Sequence, residues 1–146
     1  MHRDMELISH ELFGCLRLAD FAPAGTKVVQ LEGWEYLDRL WIGEAIGFTE
    51  WLRDVERPDV LGALSLALLT LPDEMCQSVL AVLQLPLMRG MKYDQVVGAL
   101  GEPVRSRQYV NGQITVDFQC GSKWQYSIGC TVRDEGGLSY ITVVAG

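Results

Sequence analysis

The sequence predicts an α+β fold: a mainly helical N-terminal half, then a short helix and a four-stranded antiparallel sheet. Apolar residues across 34–85 recur at steps of three and four or run unbroken, as helices do. A punctuated helix signature occupies 93–100, and beyond Pro103 the apolar period falls to two. The division is 1–87, acidic and mainly helical, and 88–146, helix plus sheet, as two small halves or one compact domain. A chain of 146 residues buries roughly 68–70% of its unfolded surface and needs no covalent staple.

Thr26 to Leu31 reads as a short strand after the Pro23-Ala24-Gly25 turn. Trp34, Leu37, Trp41, Ala45, Phe48, Leu52 and Val55 then mark one helical stripe. Gly43 and Gly47 weaken that reading, and a strand over 40–48 is the alternative. Pro58 opens a run, 60–71, apolar almost all round, read as a buried helix ending at Pro72. Asp73 and Glu74 begin a second helix, placed at its positive end, and Pro86 stops it. Tyr93, Val96, Val97 and Leu100 share one face of a third, closed by Gly101 and Pro103.

Four strands follow, near 104–110, 114–120, 124–132 and 138–144. Keeping both apolar sets on one face pairs Cys120 with Trp124, Phe118 with Tyr126, Val116 with Ile128 and Ile114 with Cys130. Cys120 and Cys130 then lie too far apart for a disulfide. Cys15, Cys76, Cys120 and Cys130 carry no metal-site spacing and read as reduced core residues.

Composition narrows function. The first twenty residues interleave charge with apolar residues and read as neither a secretory signal nor a lipoprotein leader, making the cytoplasm the simplest address. Net charge is −7, split as 14 acids against 6 Lys/Arg in 1–88 and 5 against 6 in 89–146. That disfavours nucleic acid, which demands a basic face, and suits a basic protein partner. No membrane span, cofactor or metal is expected. His2 and His10 are the only histidines, so no triad is expected, and carboxylate pairs such as Asp54 with Glu56 read as solvated faces.

Gly90-Met91, Val96-Val97, Leu100-Gly101 and Pro103, followed by four strands with an aromatic core, resemble a known module. It is shared by the SmpA/OmlA-type outer-membrane assembly lipoproteins and the beta-lactamase inhibitor proteins. The resemblance covers residues 88–146. It implies protein binding rather than catalysis, with the sheet as docking surface. Lys92 departs from the pattern, standing where a capping hydroxyl belongs, although Gln95 is placed to reach back.

Two surfaces are therefore candidates for a partner. One lies in segment 32–59, with eight acids and three of the four tryptophans, and is represented by Trp51, Glu44, Glu50 and Asp54. The other is the polar face of the C-terminal sheet, with Asp117, Gln119 and Gln125, Asp117 being expected near Arg133. The expectation is a non-enzymatic adaptor or inhibitor, with an immunity-like role against a basic partner as its sharper form. The alternative is a small-molecule binder or minor enzyme with a pocket between helical half and sheet.

Overall fold

The computed structural model describes residues 8–30, 33, 36–42, 45–109, 111–121 and 124–145. Its strands are β1 (Lys27–Gln30), β2 (Leu37–Ile42), β3 (Ala45–Arg53), β4 (Leu61–Ala67), β5 (Arg105–Tyr109), β6 (Gln113–Cys120), β7 (Tyr126–Arg133) and β8 (Gly137–Ala145). They form one antiparallel sheet in the order β1-β2-β3-β4-β8-β7-β6-β5. The helices are α1 (His10–Gly14), α2 (Asp73–Val82) and α3 (Tyr93–Leu100), with a 3-10 turn at Leu18–Asp20. No described helix is long and apolar enough to cross a membrane.

The helical N-terminal half and the α+β division built on it are therefore overturned. Residues 60–71 hold β4, the strand that joins the two halves of the sheet. Leu64, Leu66 and Leu68 are buried, while Ala63, Ser65 and Ala67 alternate with them on the other face. An unbroken apolar run does not distinguish a buried strand from a buried helix by periodicity. The alternation of large with small residues was the strand signal. The 34–55 stripe is likewise two strands, β2 and β3, so the strand alternative over 40–48 was nearer. Trp34 and residues 43–44 lie outside the described residues.

The sheet is one topology used twice. Strands β1–β4 and β5–β8 are each an up-and-down meander, and they meet at β4 and β8 across a local two-fold. Ser65 faces Thr142 at the centre, 77 positions apart. The same offset carries β1, β2 and β4 onto β5, β6 and β8, with the β3–β7 match looser.

Packing is one-sided. α1, α2 and α3 contribute Phe13, Met75, Val79, Val96 and Leu100 to one core cluster with Leu40, Trp51, Leu64, Val116, Ile128 and Ile141. Those sheet residues form its inner face. Fully burying a side chain of this size contributes about 1.5–3 kcal/mol, so this layer dominates stability.

α2 and α3 lie where the sequence placed them. The Lys92 N–H donates to Gln95 Oε1 at 2.8 Å, the half of a capping box that a lysine still permits. Gly90 does more than end a loop. Its N–H donates to the Leu138 carbonyl at 3.1 Å, and the Leu138 N–H donates to the Met91 carbonyl at 2.8 Å. The loop before α3 is thus bound to the start of β8.

The β6–β7 register is corrected by two residues. Cys120 faces Tyr126, Phe118 faces Ile128, Val116 faces Cys130 and Ile114 faces Val132. A two-residue slip preserves the buried face, so patterning cannot detect it. The cause lies at Trp124, which leaves the ladder to stack on Tyr126 with ring centroids 4.4 Å apart. Its indole N–H donates to the Ile8 carbonyl at 2.9 Å, and the Ile8 N–H donates to the Tyr126 hydroxyl at 3.1 Å. The residue expected to pair with Cys120 instead clamps the N-terminal segment.

Candidate functional site

The face opposite the helices carries no helix among the described residues. Its central ladder row runs Val29, Arg39, Glu50 and Ser65 from β1 to β4. It continues as Thr142, Gly129, Asp117 and Arg105 from β8 to β5. Hydroxyls meet at the middle, Ser65 Oγ with Thr142 Oγ1 at 3.4 Å, and Thr115 pairs with Thr131 at 3.1 Å. An ion pair occupies each flank: Arg39 with Glu50, and Asp117 with Arg105 Nε at 3.1 Å and Arg107 Nη2 at 3.4 Å. Such half-exposed pairs contribute about 0–1 kcal/mol each, so they set surface character more than stability.

A second row is apolar on one side and polar on the other. Leu37, Leu52, Ala63 and Val144 lead into Ser127 and Gln119. Leu37 is buried yet lies outside the core cluster, and Leu52 and Val144 are exposed. The two candidate surfaces of the sequence, read as separate, are thus partly joined on one sheet face.

Of the expected residues, this face brings together Glu50, Asp117 and Gln119. Trp51 does not belong to it. It is 2% exposed, faces the core from β3, and its ring lies 6.3 Å from that of Phe21. In a strand its position shares the face of Thr49 and not that of Glu50; the helical stripe had left it free. Asp54 serves its own turn, accepting from the Glu56 N–H at 2.8 Å and the Arg57 N–H at 3.2 Å. Those backbone donors, the Glu56 bond foremost, hold its carboxyl below the usual range. Gln125 is exposed in the β6–β7 connection, off the ladder, and Glu44 lies outside the described residues. Asp117 pairs with Arg105 and Arg107, not with Arg133, because Arg133 faces Gln113 at the far end of β6.

Sequence reasoning missed the two depressions at diagonal corners of the face. A cavity of about 560 Å³ is lined by Tyr36, Leu37, Leu52, Arg53, Val55 and Gly62. Another of about 320 Å³ is lined chiefly by Ala67, Leu69, Gln113, Thr131, Arg133 and Tyr140. Each sits beside a register shift, between Leu52 and Arg53 in the β3–β4 pair and between Thr131 and Val132 in the β7–β8 pair. Bulges bend a strand locally and re-aim its side chains, which explains a hollow at both places. Bulges of this kind leave no pattern in residue type.

No described group of His, Cys, Asp and Glu is arranged to hold a metal ion. Burial pushes the Cys76 thiol up to about 11 and the Cys130 thiol up to about 12, so neither is a thiolate nucleophile near neutral pH. No family model, curated protein or solved structure matches this chain.

Proposed function

We propose that this chain is a non-enzymatic protein-binding adaptor or inhibitor that docks its partner across the open face of the sheet. The observation that carries this reading is an eight-stranded face with every described helix on the other side. Eight strands at ~4.8 Å spacing and about five residues of ladder span roughly 35 by 17 Å, or about 600 Å². A standard interface takes about 800 Å² from each partner, so this face supplies most of one. Tyr140, arginines and a mixed apolar row are what interface centres favour. The resemblance of residues 88–146 to the inhibitor-protein module, whose sheet docks, supports the same reading.

The chemistry of the face changes the expected partner. Arg39, Arg105, Arg107 and Arg133 outnumber Glu50 and Asp117 there, while the described acids lie mostly on helices and turns, among them Asp73, Glu74 and Asp94. Contact with this face suits a partner bearing acidic and apolar side chains. The basic, immunity-type partner rests on whole-chain charge, which acts on encounter at long range.

The test is affinity capture from the native cell with wild type and Thr142→Arg, which plants a long cation at the centre of the face. Loss of the captured protein in a folded variant supports the reading; equal capture by both overturns it. A second reading, a small-molecule binder, rests on the 560 Å³ cavity, whose volume lies within the range of ligand pockets. It lies on the β2–β4 side of the sheet rather than between helices and sheet. A rise in thermal midpoint with a metabolite panel, abolished by Leu52→Arg, would establish it.

A further inference from the structure

The two diagonal cavities occupy corresponding places in the two meanders but differ in chemistry. The offset of 77 carries Tyr36 onto Gln113 and Gly62 onto Ser139, the first of each lining the larger cavity and the second the smaller. The corner on β2–β4 is mainly apolar, with Leu37, Leu52 and Val55 beside Tyr36 and Arg53, and Arg53 lies 3.9 Å from Asp38. The corner on β6–β8 presents an arginine, a tyrosine, a glutamine and threonines.

Arg133 is set apart by its bonding. Arg39, Arg53, Arg57, Arg89, Arg105 and Arg107 each lie within 4 Å of a carboxylate. Arg17 bonds to backbone carbonyls, those of Gly14, Leu16 and Asp59. The Arg133 guanidinium has no such partner among the described residues, although Asp134 and Glu135 follow it in sequence. Asp134 instead turns to the neighbouring hairpin, its N–H donating to the Gly112 carbonyl at 2.8 Å. Arg133 also lines a second dip of about 390 Å³, together with Asn111, Gly112, Asp134 and Glu135. Around the 320 Å³ cavity, the Tyr140 hydroxyl and Gln113 amide likewise have no partner among the described residues, and Thr131 is held by Thr115.

We propose that the Arg133 cavity is a carboxylate-binding anchor, filled by an aspartate or glutamate side chain of the protein docked on the open face. This rests on the docking reading above. Arg133 supplies charge and a planar fork of donors that matches a carboxylate, and Tyr140 and Gln113 supply further donors. Ala67 and Leu69 pack the aliphatic stem. The apolar corner lies on the order of 20 Å away, three strands across and about four residues along. A partner that offers one apolar and one acidic side chain at that separation therefore docks in a single orientation. Charge complementarity selects this occupant, because the face has more arginines than acids.

The experiment titrates isotopically labelled protein with the peptide acetyl-Gly-Glu-Gly-amide, at constant ionic strength. Acetyl-Gly-Gln-Gly-amide and succinate are run beside it, and amide and arginine Nε resonances are followed. Saturable shifts at Arg133, Gln113, Thr131 and Tyr140 are expected with the Glu peptide, half-complete on the order of 10 mM as befits one charged contact. They vanish with the Gln peptide and in Arg133→Ala, and Arg133→Ala lowers partner capture at least tenfold. No Glu-specific shift overturns the anchor; if Thr142→Arg still abolishes capture, the docking reading stands without it. Glu-specific shifts with capture indifferent to both Arg133→Ala and Thr142→Arg overturn the docking reading and the protein source together. Succinate saturating the same shifts at tenfold lower concentration than the peptide assigns the site to a free dicarboxylate and overturns the protein source alone.

Discussion

The meanders β1–β4 and β5–β8 have the same strand order and the same place for a bulge, yet they are built to different standards. In the second, the Thr115–Thr131 hydroxyl pair and the ion pairs of Asp117 tie the ladder, and β6 and β7 match without a break from Gln113 to Cys120. In the first, the β2–β3 pairing breaks between Arg39 and Trp41. Among the described residues, buried Thr49 Oγ1 and Trp51 Nε1 have no hydrogen-bond partner, nor do Arg39 Nε and Trp41 Nε1. A buried unpaired polar group costs about 1–3 kcal/mol, so β2 and β3 carry a penalty that β6 and β7 do not. One topology thus accommodates a tight and a loose version because both close on the same central pair, β4 and β8.

The largest test of this contrast is Gly137→Ala. Gly137 has φ +70°, and an added Cβ would lie 2.3 Å from the Gly90 carbonyl oxygen. We expect a loss of about 3 kcal/mol or more, read as a lower urea midpoint. Gly62→Ala in the first meander meets only ordinary contacts at 3.5 Å and should change stability by less than about 1 kcal/mol. Equal effects would show that the loop before α3 does not depend on that close approach.

Alkaline pH comes next. An unfolded thiol ionises near about pH 8.5. Cys130 is raised to about 12, chiefly by burial and then by the Asp117 charge, and Cys76 to about 11 by burial. A folded pKa above the unfolded one means stability is complete below about pH 8.5 and falls as pH rises from there towards 11–12. Urea midpoints from about pH 8 to about pH 11 should decline less steeply in Cys130→Ala than in wild type. An identical slope in the two would place the alkaline sensitivity elsewhere.

Thr49→Val should stabilise by about 1 kcal/mol, since it replaces an unpaired buried hydroxyl with a methyl group. The matching change in the tight meander, Thr131→Val, removes the bond to Thr115 and should cost about 0.5 kcal/mol. Effects of the same sign would erase the distinction between the halves. A similarly small effect is expected of Lys92→Thr, a gain of about 0.5–1 kcal/mol from supplying the missing cap of α3. The thermal midpoint should rise by roughly 2–4 °C per kcal/mol.

The same contrast governs how much of the molecule was legible. Strands β5–β8 alternate apolar with polar residues because one face is buried and the other is not. In β4 the open face is lined by Ala63, Ser65 and Ala67, small residues that blend into the leucine run and hide the alternation. In β2 and β3, large apolar residues occur on both faces, so a helical stripe emerged by coincidence. Of the site, Asp117, Gln119 and Glu50 were legible as polar positions of a sheet or charged segment. Arg133 was legible only as an expected partner for Asp117, and Trp51 was assigned to the wrong side.

Local chemistry in the sequence determined the acidic balance, helices α2 and α3 with their glycine and proline boundaries, and the four C-terminal strands with their buried faces. Those features depend on residues within a few positions of one another. Tertiary structure decided the pairing of β4 with β8, the two-residue register choice set by Trp124 and Ile8, and the bulges that open the two corners. Each depends on contacts between residues remote in the chain, where alternatives with the same buried face differ only in how distant side chains fit.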